Sequence, residues 1–162
     1  MPATSDDLLA RLAALGIAVA VHHHPPVYTV EESKRLRGAL PGGHCKNLFL
    51  KDRKDRLWLV VALEDRAIDL KALRTAIGSA PLSFGSPALL LTTLGIEPGS
   101  VTPFALINDS EARVTVVLDD AMMGLELLNY HPLTNAQTAA IRPADLLLFL
   151  RATGHEPRIL GL

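Results

Sequence analysis

Only one cysteine, Cys45, occurs in the 162 residues. It cannot form an internal disulfide, and a zinc site built from several cysteines is excluded. A reducing cytoplasm is the expected setting. Aromatic residues are scarce at 4%, so the core must be built mainly from Leu, Val, Ile and Ala. No apolar run approaches the roughly 20 residues needed to span a bilayer, and no membrane partner is expected. The opening "MPATSDDLLARL" carries two acids and no basic segment, so it does not read as a signal peptide. The formal net charge is −1, which argues against large-scale electrostatic capture of nucleic acid.

What remains is an ordinary globular composition, 49% hydrophobic and 20% charged. The length suits one domain, 1–162, burying roughly two-thirds of the surface that its unfolded chain exposes. Basic residues cluster locally, at Lys34, Arg35 and Arg37 and again at Lys51, Arg53, Lys54 and Arg56. A solvated helix face and a charged hairpin turn account for them. A modest phosphate-contacting rim around a site that grips only the end of a nucleic acid is the other reading.

Residues 5 to 15 pattern as an amphipathic helix, with Ser5 or Thr4 as cap, Asp6 and Asp7 at its positive end, and Gly16 as its stop. "IAVAV" then alternates like a short strand running into His22, His23 and His24. Thr29 and Glu32 have capping-box spacing, which predicts a helix to about Ala39. "NLFLKD" and "LWLVVAL" predict a hairpin across "RKDR". "AIDLKALRTAIG" predicts a helix capped by Asp69 and stopped by Gly78. "SPALLLTTLG" predicts another, with Ser86 as cap and Pro87 at its first position. "FALIN" and "RVTVVLD" read as a strand pair, a helix or loop follows near Met122, "TAAIR" reads as a short strand, and a last helix runs from Pro143 to Gly154. Hairpins mixed with helices predict an α+β (mixed α/β) domain with a mixed, largely antiparallel sheet flanked by helices. "PGG" precedes a strand instead of opening a helix, so it is not a phosphate loop.

Five loops hold the unusual polar residues: "HHHPPVYT", "GGHCKN", "LSFGS", "EPGSVTPF" and "NYHPLTN". Each alone is ordinary turn chemistry. Their shared placement, feeding or leaving strands of one sheet, raises the prospect of a common cleft. Cys45 invites a thiol reading, but adjacent strand residues point to opposite faces, so His44 is poorly placed to activate it. A lone cysteine entering a strand is usually a small buried hydrophobe. Lys46 is the stronger candidate. It is either a snorkelling strand-end charge or, beside the Asn47 amide, a cation that orients a polar substrate or holds an oxyanion. Joint action of Lys46 and Asn47 through their side chains requires a kink at the strand start.

Taken in order, "HPPVYTVEES", "GGHCKNLFLKD", "LSFGS", "PGSVTPFALIND" and "HPLTN" resemble the motifs of the YbaK/ProX family of aminoacyl-tRNA editing domains, and most nearly its free-standing branch. The resemblance runs from about His24 to His155. It implies a mixed-sheet domain that hydrolyses the ester joining a wrong amino acid to the tRNA 3′ end, with alanine on proline tRNA as the expected substrate. Editing of cysteine or serine, or a non-catalytic module that binds tRNA ends, are the alternatives. The resemblance also implies catalytic roles for Lys46, Asn47 and His131, and substrate-binding walls at Tyr28, Gly85, Ser86, Gly99, Ser100 and Thr102. The family often has threonine where this chain has Cys45, which weakens the thiol reading further. No cofactor and no metal are implied. The aminoacylated 3′ acceptor end is the implied partner, with help from prolyl-tRNA synthetase or an elongation factor compatible with it.

Overall fold

The computed structural model describes residues 1–26 and 42–162. The helix expected over 29 to 39, and Tyr28, lie outside the described residues. In chain order the elements are α1 (Ser5–Ala14), β1 (Ala20–His23), β2 (Gly43–Asp52), β3 (Leu57–Leu63), α2 (Leu70–Ile77), β4 (Leu82–Phe84), α3 (Pro87–Leu94), a 3-10 helix Pro103–Asn108, β5 (Val114–Asp119), a 3-10 helix Asp120–Gly124, β6 (Leu128–Tyr130), β7 (Gln137–Ile141), α4 (Pro143–Ala152) and β8 (Arg158–Leu160). No helix among the described residues is long and apolar enough to cross a membrane.

The strands form one mixed sheet in the order β1-β7-β6-β2-β3-β5-β8, with β4 also paired to β2. The pairs β1–β7, β2–β3, β2–β4 and β6–β7 are antiparallel, whereas β2–β6, β3–β5 and β5–β8 are parallel. Period-2 alternation sorts the side chains into two faces. On the first face Phe49, Leu57, Leu59, Val61, Val116, Leu118, Leu128 and Tyr130 pack with residues of α1, α3 and α4. Phe104 meets Tyr130 and Phe149 edge to face at ring separations of 6.1 and 5.5 Å. On the second face Leu50, Trp58, Val60 and Val117 pack under Leu73 and Ile77 of α2.

Local chemistry explains most helix ends. Thr4 caps α1 in a capping box with Asp7. Asp69 caps α2 and Gly78 ends it in the left-handed conformation, while Ser86 and Gly95 do the same for α3. The predicted strand "FALIN" is instead a 3-10 helix, because Thr102 caps Phe104 N–H and Pro103 occupies the first position. Four consecutive buried residues there, Pro103 to Leu106, also lack strand alternation. The strand expected at 17 to 21 begins at Ala20, since Ile17 N–H returns to Leu12 O and completes the end of α1.

At the β2–β3 hairpin, Asp52 is 1% exposed and its carboxylate accepts N–H bonds from Lys54, Arg56 and Trp58 at 2.9 to 3.4 Å. Burial alone would raise its pKa. The hydrogen bonds, from Arg56 first, outweigh burial and hold it below the usual aspartate value.

Candidate active site

Strand β2 changes neighbours along its length. Gly43 and His44 pair with β6, and Leu50 to Asp52 pair with β4. Between them, among the described residues, β2 has only β3 beside it. Backbone direction follows from three bonds. Glu64 N–H reaches His44 O, whereas Gly43 N–H reaches Leu127 O and Gly85 N–H reaches Phe49 O. Even-numbered residues of β2 therefore address β3, and odd-numbered ones address the outer edge. The N–H and C=O of Asn47 thus point into the opening between β6 and β4.

Cys45, Lys46, His131 and Gly85 lie beside this opening. The parallel register of Gly43 with Leu128 and His44 with Asn129 brings Cys45 next to Tyr130, where β6 ends; His131 follows it in the chain as Lys46 follows Cys45. Leu128 and Tyr130 belong to the first-face core, so alternation carries His131 to the second face. His24 stands there too, 6.3 Å from His131 between ring centroids, with its Nε2 2.9 Å from Thr138 Oγ1. On the other flank Gly85 approaches the Phe49 ring so closely that an added Cβ would lie 2.4 Å from it. No larger residue fits without moving that ring.

His131 is set in one tautomer. Its Nδ1–H donates to Gln137 O at 2.9 Å, which leaves the Nε2 lone pair available in the neutral ring. Burial lowers its pKa, the bond to Gln137 opposes the shift, and neighbouring His24 adds to the lowering. Gln137 is itself fixed, accepting from Ser5 Oγ at 2.8 Å and lying 3.2 Å from His23 Nδ1.

Lys46 and Asn47 diverge. The ladder with β3 is regular from Cys45 to Lys51, so no kink turns the two side chains together. Lys46 shares the second face with His44, and its ammonium donates to Arg66 O at the end of β3. A cleft of about 510 Å³ opens beside it, lined in part by His44, Glu64 and Arg66. Asn47 points to the first face with Cys45 and Phe49. Its Oδ1 is buried without a hydrogen-bond partner among the described residues, an arrangement that packing alone disfavours, since such a group costs about 1–3 kcal/mol.

Cys45 is neither exposed nor ionised. Burial pushes its thiol up to about 11, against a smaller opposing effect from Tyr130, so it offers almost no thiolate at neutral pH. The wall residues divide by task. Ser86 Oγ accepts Leu89 N–H at 3.1 Å, and fully buried Thr102 accepts Phe104 N–H at 3.3 Å, so both are helix caps. Gly99 turns the chain at φ +92. Ser100 joins Leu133, Thr134 and Asn135 in a second cleft of about 340 Å³, bringing the "PGSVTPF" and "HPLTN" loops together. Arg66, Asp119, Thr138 and Gln137 are neighbours absent from the sequence-based candidates, whereas His24 belongs to the candidate loop "HHHPPVYT". Only Asp119, an acid closing the apolar run "VTVVL", carried a signal.

Among the described residues no group of three or more His, Cys, Asp or Glu could hold a metal ion. The described residues offer a cation, a neutral imidazole and backbone donors, groups that suit hydrolysis of an activated ester.

Similarity to known proteins agrees with that geometry. The model of the aminoacyl-tRNA editing domain family matches residues 24–149. Prolyl-tRNA synthetase associated domain-containing protein 1 of Mus musculus is 43% identical over 160 residues, covering 96% of this chain and 94% of that protein. Prolyl-tRNA editing protein ProX of Acetoanaerobium sticklandii is 39% identical over 156 residues, covering 96% and 95%. In fold, the chain is similar to a solved structure assigned provisionally as a trans-editing enzyme for prolyl tRNA synthetase, with a TM-score of 0.71 at 22% identity over 100% of this chain and 99% of that one. With its lysine, histidine and open strand edge gathered inside the matched region, the chain belongs to the aminoacyl-tRNA editing domain family.

Proposed function

We propose that this protein is a free-standing deacylase that removes alanine from mischarged proline tRNA in the cytoplasm, acting on the 3′ acceptor end. The observation that carries the reading is His131, a half-buried imidazole whose pKa is lowered by burial and whose Nδ1–H is held by Gln137 O, just past the end of the strand that pairs with the start of β2. In the reaction, water is oriented by His131 Nε2 and its oxygen attacks the ester carbonyl carbon. The proton passes to Nε2 and then to the departing ribose oxygen as the carbon–oxygen bond breaks. Free alanine and an uncharged tRNA end result.

Charge developing on the carbonyl oxygen is met by the Lys46 ammonium, which keeps two N–H groups after donating one to Arg66 O. The Asn47 backbone N–H in the opening is a second donor for it. Such preorganised donors are effective where water is excluded. The names of the relatives direct the choice of tRNA, and the size argument directs the choice of amino acid. A synthetase rejects a residue smaller by a methylene by only about 1–3 kcal/mol, so a second, smaller pocket is needed.

The test is a panel of tRNAs charged with alanine, proline, serine and cysteine, each incubated with purified protein. Release from Ala-tRNA(Pro) with Pro-tRNA(Pro) spared is expected. Equal cleavage of both contradicts the size sieve, and tight binding with no turnover converts the reading to a non-catalytic tRNA-end module.

A further inference from the structure

We infer that Arg66 and Asp119 are positioning residues for Lys46, acting through the main chain and not through contact with substrate. The inference rests on the deacylase reading above for its kinetic consequences. Its structural basis is separate. Lys46 carries a flexible four-carbon stem, and its ammonium would wander unless something fixed it. Among the described residues, what holds it is the carbonyl of Arg66.

That carbonyl lies in a tight turn, closed by Arg66 N–H to Leu63 O at 3.0 Å, just past the end of β3. A turn at a strand end is ordinarily free to shift. Here its side chain is clamped: Arg66 Nε donates to Asp119 Oδ2 at 2.7 Å, and Nη2 donates to Asp119 Oδ1 at 3.0 Å. A two-point bond of this kind fixes direction as well as distance. The carboxylate anchoring it has a side chain with no solvent exposure, and Oδ1 also lies 3.4 Å from Leu162 N–H. Asp119 ends β5, the strand parallel to β3. The sheet itself therefore sets where the Arg66 carbonyl sits, and the carbonyl sets where the Lys46 ammonium sits. Since a misplacement of about 1 Å can cost on the order of a hundredfold in rate, a clamp one residue removed from the reacting atoms is worth having.

Asp119→Asn removes the carboxylate's charge while keeping its shape, and Arg66→Met removes both donors while keeping the turn's backbone. Each is measured for folding by thermal melting, for single-turnover and steady-state deacylation, and for the Lys46 Nζ resonance by nitrogen-15 NMR. The expected result for the folded variants is a kcat lowered roughly tenfold to a hundredfold with KM little changed. Arg66→Lys should restore only part of this, because an ammonium cannot make the two-point bond. Combined with Lys46→Ala, neither substitution should lower the rate beyond Lys46→Ala alone, since the clamp has nothing left to position. Should Asp119→Asn fail to fold, Arg66→Met carries the same comparisons.

Full additivity in the double variants overturns the inference, as does a KM effect with kcat intact. The NMR arm separates this claim from the functional one. If the wild-type protein releases no amino acid from any charged tRNA, the deacylase reading has failed. The Lys46 Nζ signal then decides positioning alone: it should shift and exchange faster in Asp119→Asn, and an unchanged signal overturns the link.

Discussion

The two ends of β2 solve different problems with one strand. Toward its Leu50–Asp52 end the strand runs between β3 and β4, and Leu50 is fully buried beneath α2. Asp52 there knots the hairpin through its hydrogen bonds. Toward the Gly43–Asn47 end the same face carries His44 and Lys46, and the flanking strand β6 stops at Tyr130. On this face Leu50 lies where β2 has a strand on each side, and Lys46 lies where only β3 is beside it among the described residues. Stability and chemistry are thereby separated along a single element, and substitutions at the two ends should fail in different ways.

The largest effect expected at the open end is on rate. Lys46→Ala should lower single-turnover deacylation on the order of 10²–10³, the usual consequence of deleting one preorganised electrostatic contact. Its circular dichroism should match the wild type, because a half-buried strand-end ammonium is not part of the core. Unfolding on this substitution would erase the contrast between the two ends.

His131 sharpens the same contrast through pH. Burial first of all holds its pKa below the usual histidine value, so the ring is neutral at pH 7 and becomes cationic only on acidification. Deacylation should therefore be flat near neutrality and fall as pH drops through that lowered pKa. His131→Ala should be slower by about 10² and should lose this inflection. A fall on the alkaline side instead would mean that the cationic ring is the active form.

At the closed end the expected loss is in stability. Asp52→Ala strands the buried Trp58 Nε1–H and frees the half-buried Lys54 and Arg56 N–H groups, and should cost about 1–3 kcal/mol in a denaturant titration, with deacylation per folded molecule retained. Because the fold lowers the Asp52 pKa, its contribution is complete above the ordinary aspartate value of 3.8 and is lost as pH falls through the folded value. Asp52→Ala should flatten that acid limb.

The smallest effect belongs to Cys45. With its thiol pushed up to about 11, native protein should resist iodoacetamide at pH 8 and react once unfolded. Cys45→Thr should keep most of its turnover. Inactivation by either treatment would return the nucleophile to consideration.

Much of this arrangement was legible in the residues. Asp69 with Gly78, and Ser86 with Pro87 and Gly95, marked α2 and α3 because caps are local chemistry. Alternation along β2 implied that Lys46 and Asn47 part company, and the regular register shows that they do. What escaped was non-local. The strands β4, β6 and β8 have three residues each, too few to show a period, and they exist because a neighbour pairs with them. Gly43 and His44 joined β2 for the same reason, through Leu128 and Asn129. The clamp from Asp119 to Arg66 spans 53 positions and leaves no pattern in either stretch.

The opening in the sheet has one more consequence. Unpaired strand edges are where proteins recruit one another, by adding a strand and growing into aggregates. Here the exposed backbone is confined between the end of β6 and the start of the β4 ladder, leaving fewer than six positions of β2 unflanked among the described residues. A foreign strand laid there gains ladder bonds over that short run alone. A small group with one or two hydrogen-bonding atoms needs no more than that. The break thus sets a short run of backbone N–H and C=O groups within reach of a small polar group while limiting how long a ladder another chain can build there.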